Sequence, residues 1–224
     1  MTLAQEYGPT PSAVPRDVDA KSEAVNAEEV SRMSAVLDAQ YNNARLWYWS
    51  WASIYGAISI VETVLNATTT GDARTSAQVG IVTSTFGFFA TVIFPPPVAF
   101  AWEPIQKMPE ATPEQRAAKA AATRHLFQRE VEREEFRHSI WGHLIGLVFN
   151  AGISAYMYWG LHLGGRAALN FLVSAGLWEA NLWTSPNASL HLAEQLKAGP
   201  SAVLSVVPVT FGTTGAGVAV VGRF

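Results

Sequence analysis

The chain of 224 residues contains no cysteine. Disulfides, thiolate metal sites and cysteine nucleophiles are therefore excluded, and the redox compartment is left open. Charge is scarce: 15% of residues are Asp, Glu, Lys or Arg, against roughly 25% in soluble domains. The net charge of −3 leaves no basic stripe for nucleic acid. No glycine-rich loop joins a strand to a helix, so phosphate-cradling and dinucleotide readings fail. No Gly-x-Ser-x-Gly elbow supplies a serine nucleophile, and five histidines are too few for a membrane histidine-box oxygenase. The start lacks a charged, apolar leader, so no signal peptide is visible. Thr2, Leu3 and Ala4 before Gln5 would also suit the end of a truncated one, which would reverse the compartment assigned below.

Against these absences stands a large apolar content, 49% of residues, including eight Trp, six Tyr and eleven Phe. Apolar residues gather in four blocks and charge in two. Residues 1–26, with Pro9, Pro11 and Pro15 and no apolar periodicity, read as a flexible tail. Residues 27–198 read as a four-helix membrane bundle, with spans at about 46–66, 78–101, 139–163 and 167–184, each close to the roughly 20 residues a bilayer requires. Prolines 95–97 interrupt the second span near its end. Thr112, Pro113 and Gln115 spell an N-cap, a first-turn proline and a capping box. From there one uninterrupted rod is expected through 164–165, charged in its first half and apolar in its second. Residues 186–198 form a short amphipathic helix, and 201–224 read as a β-hairpin. The fold class expected is all-α: an antiparallel four-helix transmembrane bundle, with a long cytoplasmic extension of helix 3 and a small C-terminal hairpin.

Orientation follows from charge and tryptophan. With four alternating spans, Arg16, Lys21, Arg32, Arg45, Lys107, Arg116, Lys119, Arg124, Arg129, Arg133, Arg137, Lys197 and Arg223 share one side. Only Arg74 and Arg166 lie on the other, which places both termini in the cytoplasm. Trp47, Trp49, Trp51, Trp102, Trp141, Trp178 and Trp183 fall toward that same level, as an interfacial belt would.

Helical projection of the rod separates Trp141, Leu144, Ile145, Val148 and Trp159, expected to meet lipid, from Glu132, Glu135, Ser139, His143, Gly146 and Asn150, expected to meet partners. Gly142 and Gly146 have GxxxG spacing, which allows close helix packing. The candidate buried polar residues are Glu62, His138, His143, Asn150, Arg166 and Glu179. Depth pairs Glu62 with Arg166 at one end, and His143 with Glu179 at the other. Glu135 and His138 spell half of a di-metal carboxylate motif, but a second Glu-x-x-His is missing. Catalytic residues, metals and cofactors are therefore not assigned. The expected function is a non-catalytic scaffold or accessory subunit, with the lipid bilayer and a protein partner or second copy as partners. A small proton-coupled transporter or channel using intramembrane Glu and His is the alternative.

Overall fold

In the computed structural model, residues 17–198, 204–211 and 215–222 are described. Among them seven helices follow in order: α1 (Asp17–Thr68), α2 (Gly71–Ile93), α3 (Pro97–Gln106), α4 (Pro113–His138), α5 (Ile140–Ala155), α6 (Gly164–Trp183) and α7 (Ala188–Lys197). A π-helical turn, Tyr156–Gly160, extends α5. Strands β1 (Leu204–Phe211) and β2 (Gly215–Gly222) pair antiparallel, Leu204 opposite Gly222. Helix α1 reaches into the stretch 1–26 that composition marks as a tail. α1 begins at Asp17, because Ala20, Lys21, Glu23 and Ala24 favour helix even without an apolar stripe. Residues 1–16 lie outside the described residues, as does the hairpin turn at 212–214.

The helices form two parts on one scaffold. The second half of α1 pairs antiparallel with α2, and α5 with α6. Between α1 and α2, large side chains seat on glycines. A β-carbon on Gly87 would lie 2.5 Å from the Tyr55 ring, and one on Gly80 2.5 Å from the Glu62 carboxyl. Between them the Ser59 hydroxyl donates to Ser84 Oγ at 2.8 Å. Between α5 and α6 a β-carbon on Gly146 would lie 2.1 Å from Trp178, whose indole N–H donates to the Gly142 carbonyl at 3.1 Å. Gly146 thus makes room for an indole rather than for a bare helix backbone, whereas a β-carbon on Gly142 would meet the Arg137 carbonyl oxygen at 2.7 Å. Phe86 and Phe149 stack at 4.3 Å and join the two hairpins.

This part is inverted relative to a soluble protein. The residues α2 buries are Ala77, Gly80, Ser84, Gly87 and Thr91; those of α5 are Gly142, Gly146, Asn150 and Ser154. Large apolar side chains face outward instead: Ile60, Trp141 and Trp159 are 67%, 65% and 72% exposed. Small residues inside and bulky ones outside is the pattern of helices packed in lipid. Two stretches, Gly71–Gln106 and Ile140–Gly160, are long and apolar enough to cross a membrane.

The first half of α1, with α3, α4 and α7, builds a second part with a conventional core of Met33, Leu37, Val98, Trp102, Leu126, Phe127 and Leu192. Three expectations are corrected here. The rod breaks at Ser139, whose backbone is extended (φ −79°, ψ 160°), so its two halves are separate helices. Its charged half is not a free extension, since α1, α3 and α7 pack against it. Within the stretch 78–101 expected as the second span, α2 ends at Ile93 and the Phe94–Pro96 bend hands the chain to α3. The tryptophan belt is also divided: Trp47, Trp51 and Trp102 are buried, while Trp49, Trp141 and Trp183 face outward.

Gly87→Ala and Gly146→Ala should each destabilise the protein by about 1–3 kcal/mol through overpacking. Gly152→Ala and Gly176→Ala, where an added methyl meets nothing within 4 Å, should be neutral or slightly stabilising. Thermal unfolding in a mild detergent checks the contrast, and equal effects at all four sites would contradict the seating described.

Candidate functional site

The buried stripe of α4 is Thr123, Leu126, Phe127, Glu130, Val131 and Glu134. Two of its members are carboxylates, and both are fully inaccessible. Burying a charge without partners is costly, and here each glutamate finds its partner in another helix. Glu130 Oε2 accepts from the backbone N–H of Val98 at 2.9 Å. That is the first N–H of α3, because Pro96 and Pro97 have none, and α3 has no side-chain cap of its own. Glu134 Oε2 accepts from the Leu190 N–H at 2.6 Å, in the first turn of α7, which is likewise uncapped from within. Its other oxygen accepts from Gln40, whose carbonyl oxygen accepts from Ser189 at 2.9 Å. One turn apart on α4, the two acids cap two short helices in trans. Each also meets the positive end of a helix dipole.

Arg133 and Arg137 carry the same logic toward the bundle. Arg137 Nη2 donates to the backbone oxygen of Asn181 at 3.2 Å and to its Oδ1 at 2.5 Å; Nε donates to Ser185 Oγ at 3.0 Å. A cation thus sits on the last turn of α6, where the dipole is negative. Arg133 approaches Glu130 at 3.5 Å, and both guanidiniums lie over the Trp47 ring, at 5.2 and 4.7 Å. Burial pushes the Glu134 carboxyl up to about 7 and raises Glu130. Burial, reinforced by the neighbouring Arg133, brings Arg137 down to about 9.

The residues expected from sequence fall in three groups. His143 Nδ1 and Glu179 Oε2 meet at 2.7 Å, and the Trp183 indole N–H also reaches that oxygen at 3.2 Å. Glu62 and Asn150 line one small cavity of about 80 Å³ with Ser84, Asn170 and Ser174. The Glu62–Arg166 pairing does not form among the described residues. Arg166 is exposed, and Glu62 leans on Gly80 instead. His138 lies at the α4–α5 junction with Nε2 buried and unpartnered. The partner-facing stripe is broken, since Glu132 and Glu135 are exposed while Gly146 and Asn150 are buried. The kink at Ser139 resets the helical phase, so positions aligned on a continuous rod diverge. No group of three or more His, Asp or Glu gathers at metal-holding distance among the described residues.

No protein-family model, curated protein or solved structure matches this chain. The site therefore stands on its geometry alone.

Sequence reasoning passed over Glu130, Glu134, Arg133, Arg137 and Gln40. The signal was present, because 126, 127, 130, 131 and 134 lie on one helical stripe whose other members are apolar. A raised folded-state pKa has a definite sign. Glu134 keeps its proton in the folded protein up to about pH 7 and loses it near the ordinary carboxylate value of 4.5 when unfolded. The contribution of Glu134 to stability should therefore be greatest below about pH 4.5, fall as pH rises to about 7, and level off above. In Glu134→Gln that fall should be shallower. Unfolding midpoints across this range check it, and parallel profiles would contradict the assignment.

Proposed function

We propose that this protein is a multi-pass integral-membrane scaffold or accessory subunit with both termini on the cytoplasmic side. In this reading a rigid helical head is held at the membrane surface for a protein partner or a second copy. The observation that carries it is the way α4 joins the two parts. Its inner face is locked by Glu130, Glu134, Arg133 and Arg137. Its outer face leaves Gln128, Arg129, Glu132 and Glu135 exposed. A charged surface fixed rigidly to a membrane bundle suits docking better than it suits chemistry. The excess of Lys and Arg in the segments assigned to the head side supports the orientation.

A proton-coupled transporter is the second reading, favoured by the polar cavity at Glu62 and Asn150. It lacks the broken helices at mid-membrane that transporters use.

The chain should stay in the membrane pellet through an alkaline carbonate wash. A photo-crosslinking residue at Glu132 should capture a protein or a second copy, and one at the outward-facing Leu169 should not. A monodisperse monomer without adducts, showing proton flux in liposomes that Glu62→Gln abolishes, would overturn the scaffold reading in favour of the transporter.

A further inference from the structure

A cavity of about 410 Å³ opens where the outward apolar belt meets the head. That volume is within the range of small-molecule sites. Its walls are mostly apolar, and Phe94, Phe136 and Ile145 on its rim are 70%, 54% and 47% exposed. The entrance therefore faces the apolar surroundings of the belt. Its polar side chains are Tyr55, Thr91, Arg133, Arg137 and Asn181, and the two charged ones are both cations. Arg133 and Arg137 line it together with Asn181, and two of the buried donors there, Arg133 Nη2 and Asn181 Nδ2, have no hydrogen-bond partner. Glu130 meets Arg133 only through Nη1, at 3.5 Å, while its other oxygen takes the Val98 N–H, and Glu134 is engaged on the Leu190 N–H, so Arg133 Nη2 is left without an acceptor. A second cavity of about 410 Å³, lined by Arg129 and prolines 95–97, shares Phe94 and Arg133 with the first.

Buried donors without acceptors are costly and call for an acceptor. Guanidiniums suit an oxyacid, which accepts several N–H bonds at once. Apolar walls and an apolar entrance suit a hydrocarbon chain. We propose that this cavity binds an anionic amphiphile from the membrane, its carboxylate or phosphate head on Arg133 and Asn181 and its alkyl chain between Phe86, Phe94, Phe136 and Ile145. The membrane reading supplies the source of the ligand, whereas the donor set and the cavity do not depend on it.

The test is native mass spectrometry of the full chain in a non-ionic detergent, titrated separately with palmitate, palmitoyl lysophosphatidate, palmitoyl lysophosphatidylcholine and inorganic phosphate. Palmitate or lysophosphatidate should bind at one site, at least tenfold more tightly than the zwitterionic lipid or free phosphate. Arg133→Gln should weaken that binding at least tenfold. Ala90→Phe, which fills the cavity from the α2 wall, should abolish it in a protein whose thermal unfolding is unchanged. Equal binding of the zwitterionic lipid, tighter binding of free phosphate, undiminished binding in Ala90→Phe, or no binding would each overturn the proposal. Because binding is read in detergent, it can fail while the carbonate wash still places the chain in the membrane.

Discussion

The architecture depends on carboxylates buried at the ends of other helices. A short helix such as α3 or α7, ten residues each, is marginal by itself, because nucleation is unfavourable and its first N–H groups are orphaned. Glu130 and Glu134 relieve both problems from a neighbouring helix. A hydrogen bond contributes about 0.5–1.5 kcal/mol net, and a buried donor left unpaired costs about 1–3 kcal/mol, so two of them matter against a total of roughly 5–15 kcal/mol for a typical domain. The interaction is reciprocal: the dipole ends of α3 and α7 are also what let two acids sit in the core. Removing either side leaves the other unsatisfied. The head is thereby tied to the path of the chain, since α3 follows the second helix of the bundle and α7 follows the last.

Arg137 extends this arrangement across the junction. By donating to the last turn of α6 and covering Trp47, it joins α4, α6 and α1 near the Ser139 kink. Trp47 and Trp51 both donate to Thr184 Oγ1, at 3.3 and 3.0 Å, so the same level is also held by neutral contacts. Above it the core is apolar, and below it the buried faces of α2 and α5 are small and polar, beside apolar clusters at Tyr55 and at Met157 and Leu163. That reversal explains how one continuous helix, α1, serves two environments. Met33, Leu37 and Ala44 are buried on its first half; on its second half, Ile60, Val61 and Val64 face out.

Much of this could be read from residue patterns. The capping box at Thr112 forms, with Thr112 Oγ1 accepting from the Gln115 N–H at 3.3 Å and Gln115 Oε1 accepting from the Thr112 N–H at 3.2 Å. Matched depth brought His143 to Glu179. The break at Ser139 was not readable, because serine is tolerated within helices and no glycine or proline marks the position. It is a local turn: Ser139 Oγ accepts from the Gly142 N–H at 3.4 Å as the N-cap of α5, and a β-carbon on Gly142 would lie 2.7 Å from the Arg137 carbonyl oxygen, so the glycine lets the chain fold tightly there. The buried acids were missed for a different reason. Periodicity reports which face is buried only when that face is apolar, and Glu130 and Glu134 interrupt the stripe among abundant exposed charge. Which tryptophans are core and which face outward depends on helix neighbours, which sequence spacing leaves open.

The central claim is that each buried glutamate holds one specific short helix. Hydrogen exchange of the full chain in detergent, comparing Glu130→Ala and Glu134→Ala with the wild type, tests it most directly. Glu130→Ala should deprotect the first turn of α3 around Val98 and leave α7 protected, and Glu134→Ala should deprotect Leu190 and its neighbours in α7 while α3 stays protected. If either substitution loosens both helices equally, or neither, the capping account is contradicted.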